Sequence, residues 1–116
     1  MIELAAHKAR QLPFVKGRKR LYCLVLDKRG KILAQAANDY DKSSPIMLAL
    51  AKKVGEDNKC YWHSECLALH RVRSGIPYKL VVARVDSEGN MCNAKPCKIC
   101  ERQIKEKGVK VVEYSV

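Results

Sequence analysis

The sequence predicts a three-layer α/β/α sandwich on a mixed sheet of four to five strands, folded as one domain over residues 1–116. Two observations carry this. Two apolar runs joined by a tight turn read as a hairpin, and strand and helix signals alternate after them, the pattern of an α/β protein. The chain of 116 residues, 47% hydrophobic, is large enough for one core, and no repeat, low-complexity tract or linker divides it.

The elements follow in order. Residues 2–12 predict a helix, with Ile2, Leu4, Ala5, Ala9 and Leu12 on its apolar side and Pro13 ending it. "RLYCLVLD" (20–27) is the first strand, "KRG" (28–30) a tight turn, and "KILAQAAN" (31–38) the returning strand. Ser44-Pro45 reads as an N-cap followed by a first-turn proline, opening a helix over 45–54 with Gly55 as its C′ residue. "HSECLALHRVRSG" (63–75) predicts another helix, "YKLVVARVD" (78–86) a third strand, and "SEGN" (87–90) a turn or loop. "PCKICERQIKEKG" (96–108) opens on proline and closes on glycine as a helix should, and "VKVVEYSV" (109–116) is a fourth strand.

Composition narrows the function classes. No apolar run approaches the roughly 18–20 residues that span a bilayer, and the N-terminus lacks the apolar stretch of a signal peptide, so a cytoplasmic protein without membrane contact is expected. In a reducing compartment six cysteines are not a disulfide framework, and close pairs point to metal ligation or redox chemistry. Twenty-three Lys and Arg against twelve Asp and Glu give a net charge of +11, which favours an anionic partner such as a nucleotide or nucleic acid. Part of the excess is concentrated in "KGRKR" (16–20). Taken alone, a basic run is more often a solvated surface. Aromatic residues are only 6% of the chain, too few for an extended base-stacking track.

The chemistry lies in two short stretches, "WHSEC" (62–66) and "KPCKIC" (95–100). If the second and third strands run parallel, the helices that follow them start at one sheet edge, where ligands gather in such folds. His63, Glu65, Cys97 and Cys100 then lie together. Cys97 and Cys100, spaced C-x-x-C, can grip one metal ion from a single helical turn, with Pro96 just before them where a missing N–H costs little. His63 supplies a third ligand. Three protein ligands leave the fourth tetrahedral position open, the catalytic rather than the structural zinc pattern, and zinc lowers the pKa of water there towards about 7. Glu65, two residues beyond His63, is placed to accept and then deliver a proton. Hydrolytic deamination needs both functions, because hydroxide attacks an amidine carbon and ammonia leaves protonated.

H-x-E followed by P-C-x-x-C is the signature of the zinc-dependent cytidine deaminase superfamily. This sequence resembles that family in both motifs, in their order and in the order of elements across nearly the whole chain, and the P-C-x-x-C form looks more like the deoxycytidylate, tRNA-adenosine and APOBEC-type branches. The resemblance implies that His63, Cys97 and Cys100 bind Zn2+, that Glu65 is the general acid/base, and that Asn38 at the end of the second strand contacts the substrate sugar. Ser64 stands inside H-x-E where alanine or valine is common, and the helix over 45–54 lengthens the interval from Asn38 to His63.

Around that centre, Trp62 and Tyr40 are candidate substrate contacts, with wall packing an equal reading for Trp62. Lys16, Arg18, Lys19 and Arg20 are candidate phosphate contacts, because the start of the first strand lies beside the end of the second. Cys23 and Cys66 read as buried small hydrophobes, and His70 and His7 as packing or surface residues. A closed structural zinc site that recruits Cys92 or Cys60, and a redox role for the C-x-x-C pair, are the bland alternatives. The expected function is deamination of cytosine in a nucleotide or single-stranded nucleic acid. The alternatives are deamination of free nucleosides or of adenosine in RNA, and a zinc-containing nucleic-acid-binding module without turnover. An exposed edge on the last strand favours a homo-oligomer.

Overall fold

The computed structural model describes residues 1–55 and 61–116. In chain order the elements are α1 (Ile2–Arg10), β1 (Arg20–Leu26), β2 (Ile32–Ala37), β3 (Asp39–Ser43), α2 (Pro45–Lys53), β4 (Tyr61–Trp62), α3 (Ser64–His70), β5 (Lys79–Val85), β6 (Met91–Cys92), α4 (Lys98–Glu106) and β7 (Val111–Tyr114). The main sheet is mixed, as expected. β1 pairs antiparallel with both β2 and β5, so β2 and β5 run in the same direction. β5 in turn carries β7 parallel along its first half and β6 antiparallel along its end.

The alternation of side chains along β1 and β5 separates two cores. Cys23 and Val25 with Leu80 and Val82 face one way and pack with Met47 and Leu50 of α2, Cys66 and Leu69 of α3, and Ile99 and Ile104 of α4. Leu24 and Leu26 with Val81, Ala83 and Val85 face the other way, against Ala5, Ala6 and Ala9 of α1. The small side chains of α1 let its backbone approach the sheet closely. One helix on one face and three on the other make the three-layer sandwich. β1 is buried on both faces, so its apolar residues run consecutively rather than alternating with polar ones.

The helix ends follow their capping residues. The Ser44 hydroxyl accepts a hydrogen bond from the Met47 N–H, Pro45 occupies the first turn, and Gly55 follows the end of α2 with a positive φ of 78°. α3 stops at His70 rather than continuing to residue 75, because the chain turns there and packs Val72 back onto the core. Two turns are built alike. At Asp27 the carboxylate accepts from the N–H groups of Arg29 and Lys31, and Gly30 supplies the positive φ; at Asp86 it accepts from those of Glu88 and Asn90, and Gly89 supplies it. The first closes the β1–β2 hairpin. The second closes β5–β6, so "SEGN" is a hairpin turn, and β6 is a strand the sequence did not signal. β3 and β4 form a further two-stranded ribbon outside the main sheet.

Arg20 belongs to the α1 face. Its guanidinium donates to the carbonyls of Arg10, Leu12 and Asp86, tying the end of α1 to the β5–β6 hairpin, and lies over the Phe14 ring. Charge-assisted hydrogen bonds of this kind contribute about 1.5–3 kcal/mol. Arg20→Ala is therefore expected to lower unfolding stability by about that amount in urea titration while leaving metal content unchanged; an unaltered midpoint would contradict this role.

Candidate active site

Strand pairing brings the site together. Tyr22 of β1 lies opposite Ala37 at the end of β2, and Arg20 lies opposite Val85 at the end of β5. One sheet edge therefore holds the start of β1 and the ends of β2 and β5. The chain leaves that edge after β2 and returns to it at the start of α3; it does the same after β5 at the start of α4. His63 is the extended N-cap residue of α3 and Cys97 that of α4, while Glu65 and Cys100 follow in the first turns.

The ligand atoms of His63, Cys97 and Cys100 all lie within 4.8 Å of one another. His63 Nδ1 is 3.3 Å from Cys100 Sγ and 3.5 Å from Cys97 Sγ. Zinc bonds of usual length, opened at the tetrahedral angle, separate nitrogen and sulfur by about 3.6 Å. The three atoms thus fit corners of one tetrahedron, and an imidazole with two thiols is a zinc-type donor set. Nδ1 is the nitrogen turned to the sulfurs; Nε2 is buried with no hydrogen-bond partner among the described residues. Cys92 does not join the group, since its thiol is directed at the Arg84 carbonyl. Cys60 lies outside the described residues. Cys23 and Cys66 are buried, as expected, and Cys66 Sγ sits 3.6 Å behind Cys100 Sγ.

The two thiols of the C-x-x-C pair differ electrostatically. A hydrogen bond from Cys100, with further help from His63, pulls the Cys97 pKa down to about 3, so Cys97 is a thiolate. Cys100 is pushed up by its sulfur contacts with Cys66 and Cys97 and by burial. Glu65 is 4% exposed, and burial raises its pKa, opposed by the hydrogen bond that Oε1 accepts from Ser64 Oγ at 2.7 Å. A buried carboxyl with a raised pKa is the kind of group that acid/base catalysis uses.

His63, Ser64, Glu65 and Cys97 line a cavity of about 280 Å3, just below the usual range for ligand sites, roughly 300–1,000 Å3. Its walls include Lys19, Leu21, Asn38, Tyr40, Tyr61, Arg84, Asn93 and Lys95. Asn38 stands at the wall with its amide tied to β1: Oδ1 accepts from the Leu21 N–H and Nδ2 donates to the Lys19 carbonyl. Tyr40 stacks on Tyr61 at 4.7 Å, and Tyr61 lies 5.0 Å from the His63 ring. Trp62 is turned away, stacked on His70 at 5.3 Å and packed against the core, so the wall-packing reading describes its place. Tyr61, its neighbour on β4, faces the cavity instead.

Of the four basic residues expected at the rim, Lys19 lines the cavity. Arg18 pairs with Asp41 at 3.0 Å over the Tyr40 ring, and Lys16 is exposed and not part of the wall. Arg20 points to the opposite face because strand alternation sends it there, one residue from the site-facing Leu21. Tyr61, Arg84, Asn93 and Lys95 are wall residues that the sequence reading did not single out. Alternation along "KLVVARVD" was the available signal for Arg84, since it shares the face of Leu80 and Val82.

No family model matches the sequence, and no curated protein matches it significantly. The fold does match solved structures. A crystal structure of cytidine deaminase from Mycobacterium tuberculosis and one of its glutamate-to-glutamine mutant each superpose with a TM-score of 0.57 at 19% identity, covering 97% of this chain and 80–81% of theirs. The chain has the cytidine deaminase fold, and its His–Cys–Cys group fits the zinc-binding motif of that superfamily. No helix among the described residues is long and apolar enough to cross a membrane.

This geometry sorts the cysteines. His63→Ala and Cys97→Ser should each reduce bound zinc well below one ion per chain after dialysis, measured by elemental analysis. Cys66→Ala and Cys92→Ser should retain it; loss of zinc in Cys92→Ser would mean a closed, four-ligand site.

Proposed function

We propose that this chain is a zinc-dependent hydrolytic deaminase that converts cytosine to uracil in a nucleotide or in single-stranded nucleic acid, with release of ammonia. The observation that carries the reading is Glu65: a buried carboxyl with a raised pKa, lining the same small cavity as His63 and Cys97 of a three-ligand zinc-type group. A structural zinc site has no use for a proton carrier beside it. The fold and the motif order support the same reading.

His63, Cys97 and Cys100 would hold the ion. Zinc would supply a nucleophile at neutral pH by lowering the pKa of water towards about 7. Glu65 would take one proton from that water and deliver it to the ring nitrogen, then carry a second proton, from the added hydroxyl, to the amino group, which departs as ammonia. Burial raises the pKa of its carboxyl, the direction that proton carriage needs, and Ser64 Oγ fixes its orientation. The stacked Tyr40 and Tyr61 would form the wall against the base. Asn38 retains one lone pair and one hydrogen after its bonds to β1, enough to bind a sugar hydroxyl.

A second reading, deamination of free cytidine, has one observation in its favour: the structural neighbours are cytidine deaminases by name. A panel of cytidine, deoxycytidine, dCMP, adenosine and a cytosine-bearing oligonucleotide, scored by mass for loss of ammonia, separates the readings. Glu65→Gln should cut ammonia release by about 10²–10⁴-fold while zinc stays bound, and a chelator should abolish activity. Full activity in Glu65→Gln, or none of the panel deaminated by the zinc-loaded protein, would overturn the proposal.

A further inference from the structure

We propose that Arg84 and Lys95, together with Lys19, form a phosphate-binding site at the mouth of the cavity, so that the substrate is recognised through a phosphate and not as a free nucleoside. The inference rests on the deaminase reading and adds the residues that select the substrate class.

Three observations place the site. Arg84 is the next residue on the site face of β5 after Leu80 and Val82, and it lies opposite Leu21, another wall residue. Its backbone is held firmly: its N–H donates to Ser115 Oγ, which donates in turn to the Cys92 carbonyl where β6 and β7 meet on β5. The guanidinium itself has little to hold. Its one hydrogen bond among the described residues is a long one, 3.5 Å, to the Asn93 carbonyl.

Lys95 enters the same wall from the turn before Pro96. Its N–H is fixed by Asn93 Oδ1 at 3.0 Å, which leaves the exposed ammonium free to swing across the mouth. Lys19 stands on the other side, its backbone clamped between the Tyr40 hydroxyl and the Asn38 amide. Among the described residues no carboxylate pairs with any of these three cations.

Charge counting leaves the cations in excess. Among the described residues, the candidate anions around the cavity are Glu65 and the sulfurs of Cys97 and Cys100, and a divalent ion gripped by the sulfurs would neutralise both thiolates. Among the described residues, the carboxylate that lines the cavity with these three cations is Glu65, which is already hydrogen-bonded to Ser64. Half-buried Arg without a carboxylate partner is a fork waiting for a planar or tetrahedral oxyanion, and Lys adds a mobile point charge. A phosphate ester on the sugar of a substrate whose base enters the cavity meets all three groups. A mononucleotide and a single-stranded oligonucleotide both carry that group.

The test uses the zinc-loaded protein. The ratio of kcat/KM for dCMP to that for deoxycytidine is expected to fall about 10- to 100-fold in Arg84→Ala, through KM, and less steeply in Lys95→Ala. Lys95 is exposed, so its variant will fold even if the Arg84 variant does not. Isothermal titration with the product dUMP reads binding apart from catalysis: dUMP should bind wild type more tightly than deoxyuridine does, and the two variants should remove that advantage. An oligonucleotide with one cytosine distinguishes the phosphate's source, a preference for it marking a backbone diester and a preference for dCMP a terminal monoester. Equal treatment of dCMP and deoxycytidine by wild type, or an undiminished dUMP advantage in both variants, would overturn the phosphate site while leaving deamination standing. Loss of dUMP binding in the variants of a protein that deaminates nothing would do the reverse.

Discussion

The structure depends on one arrangement of three strands. β1 is sandwiched antiparallel between β2 and β5, which forces those two strands parallel and makes the helices after them begin at the same edge. A site assembled from two helix starts, tens of residues apart in sequence, follows from that pairing. Slipping β1 by one residue against β5 would exchange its two faces. Leu21 would leave the cavity, Arg20 would enter it, and the carbonyls that Arg20 holds would lose their donor.

The same alternation divides the polar groups by task. Groups at the floor of the cavity, Glu65 and Ser64, and Cys100 nearby are fixed by hydrogen bonds and short sulfur contacts, and burial and neighbouring groups shift the proton affinities of Glu65 and Cys100. Groups at the mouth, Lys19, Arg84 and Lys95, have backbones that are tightly held and side chains that are not. Rigid chemistry at the floor and adaptable charge at the rim suit a ligand whose reacting ring must be placed accurately and whose anionic end is common to many molecules.

Much of this was legible in the sequence, for identifiable reasons. The eight elements with clear apolar periodicity or capping residues, from the helix over 2–12 to the strand in "VKVVEYSV", all formed, although the helix after His63 ends at His70, and the two motifs marked the residues that the fold brings within 4.8 Å. β3, β4 and β6 were not legible, because strands of two to five residues carry too little alternation to stand out. The repeated Asp-x-x-Gly spacing at Asp27 and Asp86 was a readable hint that "SEGN" turns a hairpin as "KRG" does. At the site, proximity along the chain misled where side-chain direction decides. Trp62 adjoins His63 yet points to the core, and Arg20 adjoins Lys19 yet points to α1. Tyr61 and Arg84 face the cavity because of strand parity, which composition cannot reveal.

The central claim is that one zinc ion is held by one imidazole and two sulfurs with a corner left for water. X-ray absorption at the zinc edge of the metal-loaded protein tests it most directly. The account predicts two sulfur neighbours at about 2.3 Å with nitrogen or oxygen at about 2.0–2.1 Å completing the shell; three or four sulfur neighbours would mean a closed ion and would contradict it.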